Sequence, residues 1–481
     1  MKHRIIYILM IPGLIVLFLI IPFIDHTDFQ KRYHQHMEQD TKKQTVLDFS
    51  DIKTHLPVIK IDTAGQRIPG ARVKEIKDDY QLSEDGESSI EATFQLYQDN
   101  SAPLTLSAMI HYRGNSSRLF RKKSYAIGFI DQDKNEKAVS LLDMGADNNW
   151  ALHGPYLDRS LVRNYLAMNV TGEIMPFAPE VRFVEVFVDG SYEGLYLLME
   201  KISKSDGRLA LTPPENNSEL TSYILQIDRL YRMQSSLDDF LTYTYRSYPS
   251  GAELKYPSNT LYTKEREQFV NRDFSYIAHS IYQIPYAQNK DSYRDLIDVQ
   301  AFYDYFIINE LFRNVDAGHY STYFYRDLKG KLTPVVWDFN NSLDNYQETK
   351  FDEAGFSLTQ SIFYEQLLKD EDFTNGLIHR YFELRKTKLN TNWLNNYIDD
   401  TIMFLGDSIA RNNERWRDMY DLSQYDTRNY LHRLNRNVTS YEEAIEQMKG
   451  YLGKRGAWLD DNIDTLRQYS HPSRHSHESI R

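Results

Sequence analysis

The spacing of apolar residues changes along this chain, and that change constrains the fold more than any composition figure. Between Leu56 and Asp228 the apolar positions fall in short runs, at Leu56–Ile61, Glu91–Tyr97, Leu104–Tyr112, Lys122–Ile127, Val181–Val188, Gly194–Glu200 and Tyr223–Asp228. A period of two puts successive side chains on opposite faces, so these runs read as strands. Val181–Val188 and Gly194–Glu200 flank Asp189-Gly190-Ser191 and read as a hairpin. One helix is expected among them, with Asp158 as its N-cap and Leu161, Tyr165, Leu166 and Met168–Val170 as its core face. After Tyr346 the spacing becomes three and four residues: Ile362–Leu384, Trp393–Ile409 and Tyr441–Leu466 all read as helical. Strands early and helices late make an α+β chain.

The N-terminus sets a second bound. Ile5–Ile24 is apolar apart from Pro12, Gly13 and Pro22, and about 20 such residues span a bilayer as a helix. Lys2 and Arg4 precede it, and the bulky Ile21-Pro22-Phe23-Ile24 offers no small-residue cleavage site, so an uncleaved signal anchor is expected. That places the chain in the cell membrane as a single-pass protein with its body outside. Residues 25–50 are polar and read as a juxtamembrane linker. The chain has 481 residues and no cysteine, which excludes disulfides and cysteine-ligated zinc. Its net charge of -12, with no concentrated basic stripe, argues against nucleic acid as a partner.

Chemistry concentrates between Asn309 and Tyr346. Phe302, Phe306, Ile307 and Leu311 lie at helical spacing, so a helix should run into Asn314. A loop holding Asp316 follows, then a strand at Thr322–Tyr325, a turn at Asp327–Lys331, and a second short strand that delivers Asp338. Two carboxylates on loops flanking one hairpin can meet over a single site, as phosphoryl transfer requires. The same residues could instead be a turn cap and a solvated strand end. Upstream, Arg113-Gly114-Asn115-Ser116-Ser117 and Lys122-Lys123-Ser124 could cradle phosphate through N–H groups, hydroxyls and a cation, or could form an ordinary hairpin.

Three of these segments resemble the CotH kinase family, which is named for a bacterial spore-coat protein and similar in fold to protein kinases. They are Asn314-Val315-Asp316, Tyr323-Phe324-Tyr325 and Trp337-Asp338-Phe339. The resemblance extends to Arg113–Ser117, Lys122–Tyr125, the Asp158–Asn164 segment and Tyr223–Asp228, where Gln226 stands in place of a common Glu. It covers most of Leu56 to about Leu384. It implies a two-lobed, protein-kinase-like fold behind an N-terminal transmembrane helix. The divisions would be a 1–24 anchor, a 25–50 linker, a mainly β lobe at 51–200, a helical catalytic lobe at 201–395, C-terminal helices at 396–470 and a tail at 471–481.

The resemblance also implies roles. Asp316 would orient or deprotonate an acceptor hydroxyl, and Asp338 would bind Mg²⁺ or Mn²⁺. Lys123 would hold the phosphates of ATP, with Lys122 as the other choice and Arg113 and Ser117 assisting. Glu200 would face the nucleotide base or pair with Lys123, while Glu173, Arg163 or Asn164 would serve from the helix. Ser321 occupies the place of a kinase's second metal-binding Asn, and His319 or Asn340 would compensate. The acceptor would be a hydroxyl on a surface or coat protein or a cell-wall polymer. Three other readings stand beside this one: an inactive pseudokinase scaffold, a nucleotidyl transferase, and a glycan-active enzyme. The tail histidines His471, His475 and His477 read as frayed.

Overall fold

Seven of the alternating runs close into a barrel. The computed structural model describes residues 32–37, 47–49, 52–73, 80–230, 237–244, 250–285, 292–328, 330–345, 352–424, 434 and 436–471. The strands β1 (Leu47–Phe49) and β2 (Ile52–Thr54) pair as a small hairpin whose Leu47 and Phe49 pack on Phe187. Next come β3 (Val58–Asp62), β4 (Ile90–Tyr97), β5 (Leu104–Arg113), β6 (Ser124–Ile130) and β7 (Asn149–His153). After the helix α1 (Arg163–Gly172) come β8 (Val181–Val188) and β9 (Ser191–Glu200).

The barrel order is β3-β4-β5-β6-β7-β9-β8. Closure comes from parallel pairing of β3 with β8, Val58 opposite Glu185 through Ile61 opposite Val188. Along β4 alternate residues are buried, and Phe94, Ile110, Ile127, Phe129, Trp150 and Leu198 fill the interior. The strand β8 is buried on both faces because its outer face also meets core.

A second, four-stranded antiparallel sheet follows, in the order β11-β10-β12-β13. Its strands are β10 (Tyr223–Arg229), β11 (Ser250–Tyr256), β12 (Thr322–Arg326) and β13 (Thr333–Val335). The helices α2 (Phe240–Thr244), α3 (Lys264–Tyr282) and α4 (Val299–Phe312) lie between them in sequence. The rest is helical: α5 (Tyr364–Leu367), α6 (Glu371–Arg385), α7 (Thr391–Leu405), α8 (Asp407–Arg415) and α9 (Tyr441–Asn462). The two expected helices at Ile362–Leu384 and Trp393–Ile409 are each broken. Asp370 starts a new helix by accepting from the Asp372 and Phe373 N–H groups, and Gly406 at φ +48° interrupts the other.

These features overturn the two-lobed, kinase-like expectation. The β-rich part is a closed seven-stranded barrel, and the described residues from Tyr33 onward form one compact unit. The physical reason is a continuous apolar core. Phe183 and Leu197 on the barrel wall join Tyr165 and Val170 of α1, Phe302 of α4, Ile398 of α7 and Leu452 of α9 in one cluster. The fold is α+β, with no separate β lobe. No helix among the described residues is long and apolar enough to cross a membrane. Ile5–Ile24 lies outside the described residues, as do His475 and His477.

Candidate active site

The position of the two acids follows from hairpin geometry. The strands β12 and β13 pair antiparallel, with Tyr323 opposite Val335 and Tyr325 opposite Thr333. The start of β12 and the end of β13 therefore share one end of the hairpin. Asp316 lies in the loop before that end and Asp338 just after it. The helix α4 ends at Arg313, whose left-handed φ of +51° turns the chain, and Asn314 N–H donates back to the Asn309 carbonyl at 2.9 Å. Asn314 Nδ2 then donates to Asn309 Oδ1 at 3.2 Å and to the Trp337 carbonyl at 3.3 Å. That contact ties the Asp316 loop to the residue preceding Asp338.

Asp338 itself has φ +56°, a region that Asp tolerates because its short side chain can bond nearby backbone. Its Oδ1 accepts from Asn340 Nδ2 at 2.6 Å and from Asn340 N–H at 3.4 Å. Burial raises the pKa of this carboxyl, the charge of Asp316 raises it further, and Arg113 opposes both. Asp316 is more open, with its side chain 24% exposed. Among the described residues its carboxylate accepts two long bonds, from Arg229 Nη2 at 3.4 Å and Asn341 Nδ2 at 3.5 Å.

The facing wall is cationic. The Arg113 guanidinium lies 5.7 Å over the Trp337 ring, and no side-chain hydrogen bond ties it among the described residues. Lys201 joins it: burial and then the neighbouring Arg113 charge bring this amine down to about 8. His111 is lowered to about 4 by burial first and then by Arg118, Lys201 and Arg113. Arg113, opposed by Asp338, and Lys201, opposed by Asp147, put two neighbouring cations on this wall of an acidic protein.

Other expected residues lie elsewhere. Tyr112 and Arg113 are successive on β5 and so face opposite ways. The Lys123 amine sits 5.8 Å over the Tyr112 ring and donates to the Arg118 carbonyl at 2.6 Å, and burial lowers it to about 8. Lys122 is fully buried, donating to the Leu195 carbonyl at 2.6 Å and to Asn412 Oδ1 at 2.7 Å. Ser117 Oγ donates to the Arg113 carbonyl at 3.2 Å. Glu200 accepts from Gly145 and Glu180 N–H groups at 2.8 and 2.9 Å and lies beside Arg208, not Lys123. Glu173 pairs with His34 and Lys388 at the far end of α1. Among the described residues no hydrogen bond joins Ser321 to Asp338, and His319 is buried with its pKa lowered to about 4. Asn340 does meet Asp338.

The donors present fit a small hard cation. No group of three His, Cys, Asp or Glu side chains could hold a metal among the described residues. Mg²⁺ needs only one or two carboxylates when phosphate oxygens complete its shell. Asp338 supplies one such carboxylate, and the buried Asn314 Oδ1 receives no hydrogen bond among the described residues.

Lys201 was not singled out as a site residue from the sequence, whereas Asn164 was named and donates through Nδ2 to Asn340 Oδ1 at 2.6 Å. Lys201 had one signal, its place directly after Glu200 at a strand end. Inner spore coat protein H of Bacillus subtilis (strain 168) is 26% identical over 232 residues, 48% of this chain. The match spans 57% of that relative's length. The sequence profile described as CotH kinase protein matches residues 110–459, and this chain belongs to that family.

Proposed function

We propose that this protein transfers a phosphoryl group from ATP to a hydroxyl group, using Mg²⁺ or Mn²⁺. The observation that carries the proposal is the meeting of Asp316 and Asp338 at one hairpin end, with the Arg113 guanidinium facing Asp338. Asp338, with Asn340 beside it, would hold the cation, which neutralises charge on the transferring phosphate. Asp316, the more exposed and more loosely bonded acid, orients the acceptor hydroxyl and takes its proton. Arg113 and Lys201 bind the phosphate oxygens; an Arg fork suits that geometry. The relative's name, a spore-coat protein, supports an acceptor on a coat or surface protein.

The test is transfer of labelled γ-phosphate by the full chain, with and without Mn²⁺. Asp338→Ala should lower the rate at least about a hundredfold, and Asp316→Asn should do the same with little change in nucleotide affinity. Full transfer by Asp338→Ala would refute the assignment.

A further inference from the structure

Residues Tyr33–Met37 lie in a groove formed by α1, β8 and α7, and polar side chains seat them there. Val181–Val184 of β8 precede its pairing with β3, which begins with Val58 opposite Glu185. On that edge Gln35 does what a neighbouring strand would do. Its Oε1 accepts from Phe183 N–H at 2.7 Å, and its Nε2 donates to the Phe183 carbonyl at 3.1 Å. A carboxamide carries both hydrogen-bonding groups of a peptide unit, so one side chain satisfies both.

The flanking histidines are buried and meet the helices. His34 Nδ1 shares a hydrogen bond with Tyr397 OH at 2.8 Å, and its Nε2 lies 2.8 Å from Glu173 Oε1. Lys388 holds the other Glu173 oxygen at 2.7 Å. His36 meets the Tyr165 hydroxyl twice, through its backbone N–H at 3.2 Å and through Nδ1 at 2.9 Å. Its ring stands edge-on to that of Tyr397, with centroids 4.3 Å apart. The Arg182 guanidinium lies over the Tyr33 ring at 4.2 Å. Each hydrogen bond of this kind nets about 1 kcal/mol. A five-residue segment seated by such bonds can leave and return while the domain stays folded.

Tyr165 connects this groove to the candidate active site. Its neighbour Asn164 accepts from Phe339 N–H at 2.9 Å and donates to Asn340 Oδ1 at 2.6 Å. Arg163 donates to the Ser342 and Leu343 carbonyls at 3.0 and 3.1 Å. Successive helix residues project about 100° apart. One turn of α1 therefore carries the seated segment on one side and the loop after Asp338 on another.

We propose that the groove is a peptide-docking surface whose occupant is Tyr33–Met37 of the same chain, and that Tyr165 is a positioning residue. The docked segment fixes the first turn of α1 and, through it, the loop that carries Asn340. The docking stands on the contacts alone; its effect on turnover rests on the phosphotransfer reading.

Phenylalanine labelled with ¹⁵N in the full chain reads both ends, because Phe183 and Phe339 each donate a bond at issue. Phe183→Leu and Phe339→Leu assign the two resonances. Gln35→Ala combined with His36→Ala should move the Phe183 amide proton upfield and shift or broaden that of Phe339. An excess of synthetic peptide spanning residues 31–39 should return both to their wild-type positions. His36→Asn keeps a polar atom near the place of Nδ1 and should leave both unmoved. Tyr165→Phe removes only a hydroxyl and should move Phe339 while Phe183 keeps its Gln35 bond. In the double variant kcat should fall about fivefold with the KM for ATP within about twofold, and the peptide should restore it. A Phe183 resonance that does not respond, a Phe339 resonance indifferent to the double variant, or a peptide that restores neither would overturn the proposal. A wild-type Phe183 position that changes on dilution would make the occupant a second copy and overturn the same-chain assignment. If the double variant does not fold, Gln35→Ala alone supplies the same readout. If the wild-type chain transfers no phosphate, the phosphotransfer reading fails, while the two resonances still decide the docking.

Discussion

At the scale of residues, the choice between Arg113 and Lys123 carries the largest functional consequence. Arg113 reaches toward Asp338 and Trp337, whereas the Lys123 amine is already bonded to the Arg118 carbonyl. Arg113→Lys should raise the KM for ATP about tenfold, because an ammonium cannot reproduce a guanidinium fork. Lys123→Ala should change it less than about threefold. Steady-state kinetics at saturating acceptor separates the two. The acids were visible in the sequence because Asp316 and Asp338 flank one short hairpin, a local pattern. That Arg113 turns toward the hairpin was harder to read. Choosing the cation required knowing which face of β5 looks at the hairpin, and alternation assigns opposite faces without saying which is which.

Among the elements, α4 and α9 are joined by a fully buried ion pair. Arg455 Nη2 donates to Glu310 Oε2 at 2.6 Å, and Arg455 Nε donates to the Glu310 carbonyl at 2.8 Å. Glu310 Oε1 also accepts from the Ser357 and Leu358 N–H groups at 2.7 and 2.6 Å. Removing one partner leaves a buried charge uncompensated, so Arg455→Ala should cost about 3–5 kcal/mol in urea unfolding. Lys122 plays a comparable part between barrel and α8, and Lys122→Met should cost about 1–3 kcal/mol by leaving two buried acceptors short of a donor. Most strands were legible to within a few residues: Glu91–Tyr97 became Ile90–Tyr97, and Thr322–Tyr325 became Thr322–Arg326. Helix breaks were less so. An apolar stripe continues across Asp370 and Gly406, where side-chain capping and a positive φ stop the helix.

For the whole molecule, the barrel was hidden because its closing contact is non-local. The strands β3 and β8 pair in parallel across the whole of the intervening barrel sequence, and no local period reports that. The folded chain also stores several neutral imidazoles. Burial lowers His36, His111 and His319 to about 4, and His153 to about 3. Unfolded histidine titrates near 6.5, so the unfolded chain takes up protons first. This contribution is complete above about pH 6.5 and is lost as pH falls toward 4, each excess proton steepening the loss by about 1.4 kcal/mol per pH unit. The urea midpoint should therefore drop between pH 7 and 5, and His153→Gln should flatten that drop.

Two adjacent side chains, Arg163 and Asn164, fasten four points downstream: Phe339, Asn340, Ser342 and Leu343. Such a weld has a dynamic signature. Amide protons of that loop should exchange with deuterium only when the start of α1 opens too, as a single cooperative event. Whatever tugs on the barrel side of α1 is then felt at the carboxylate without delay.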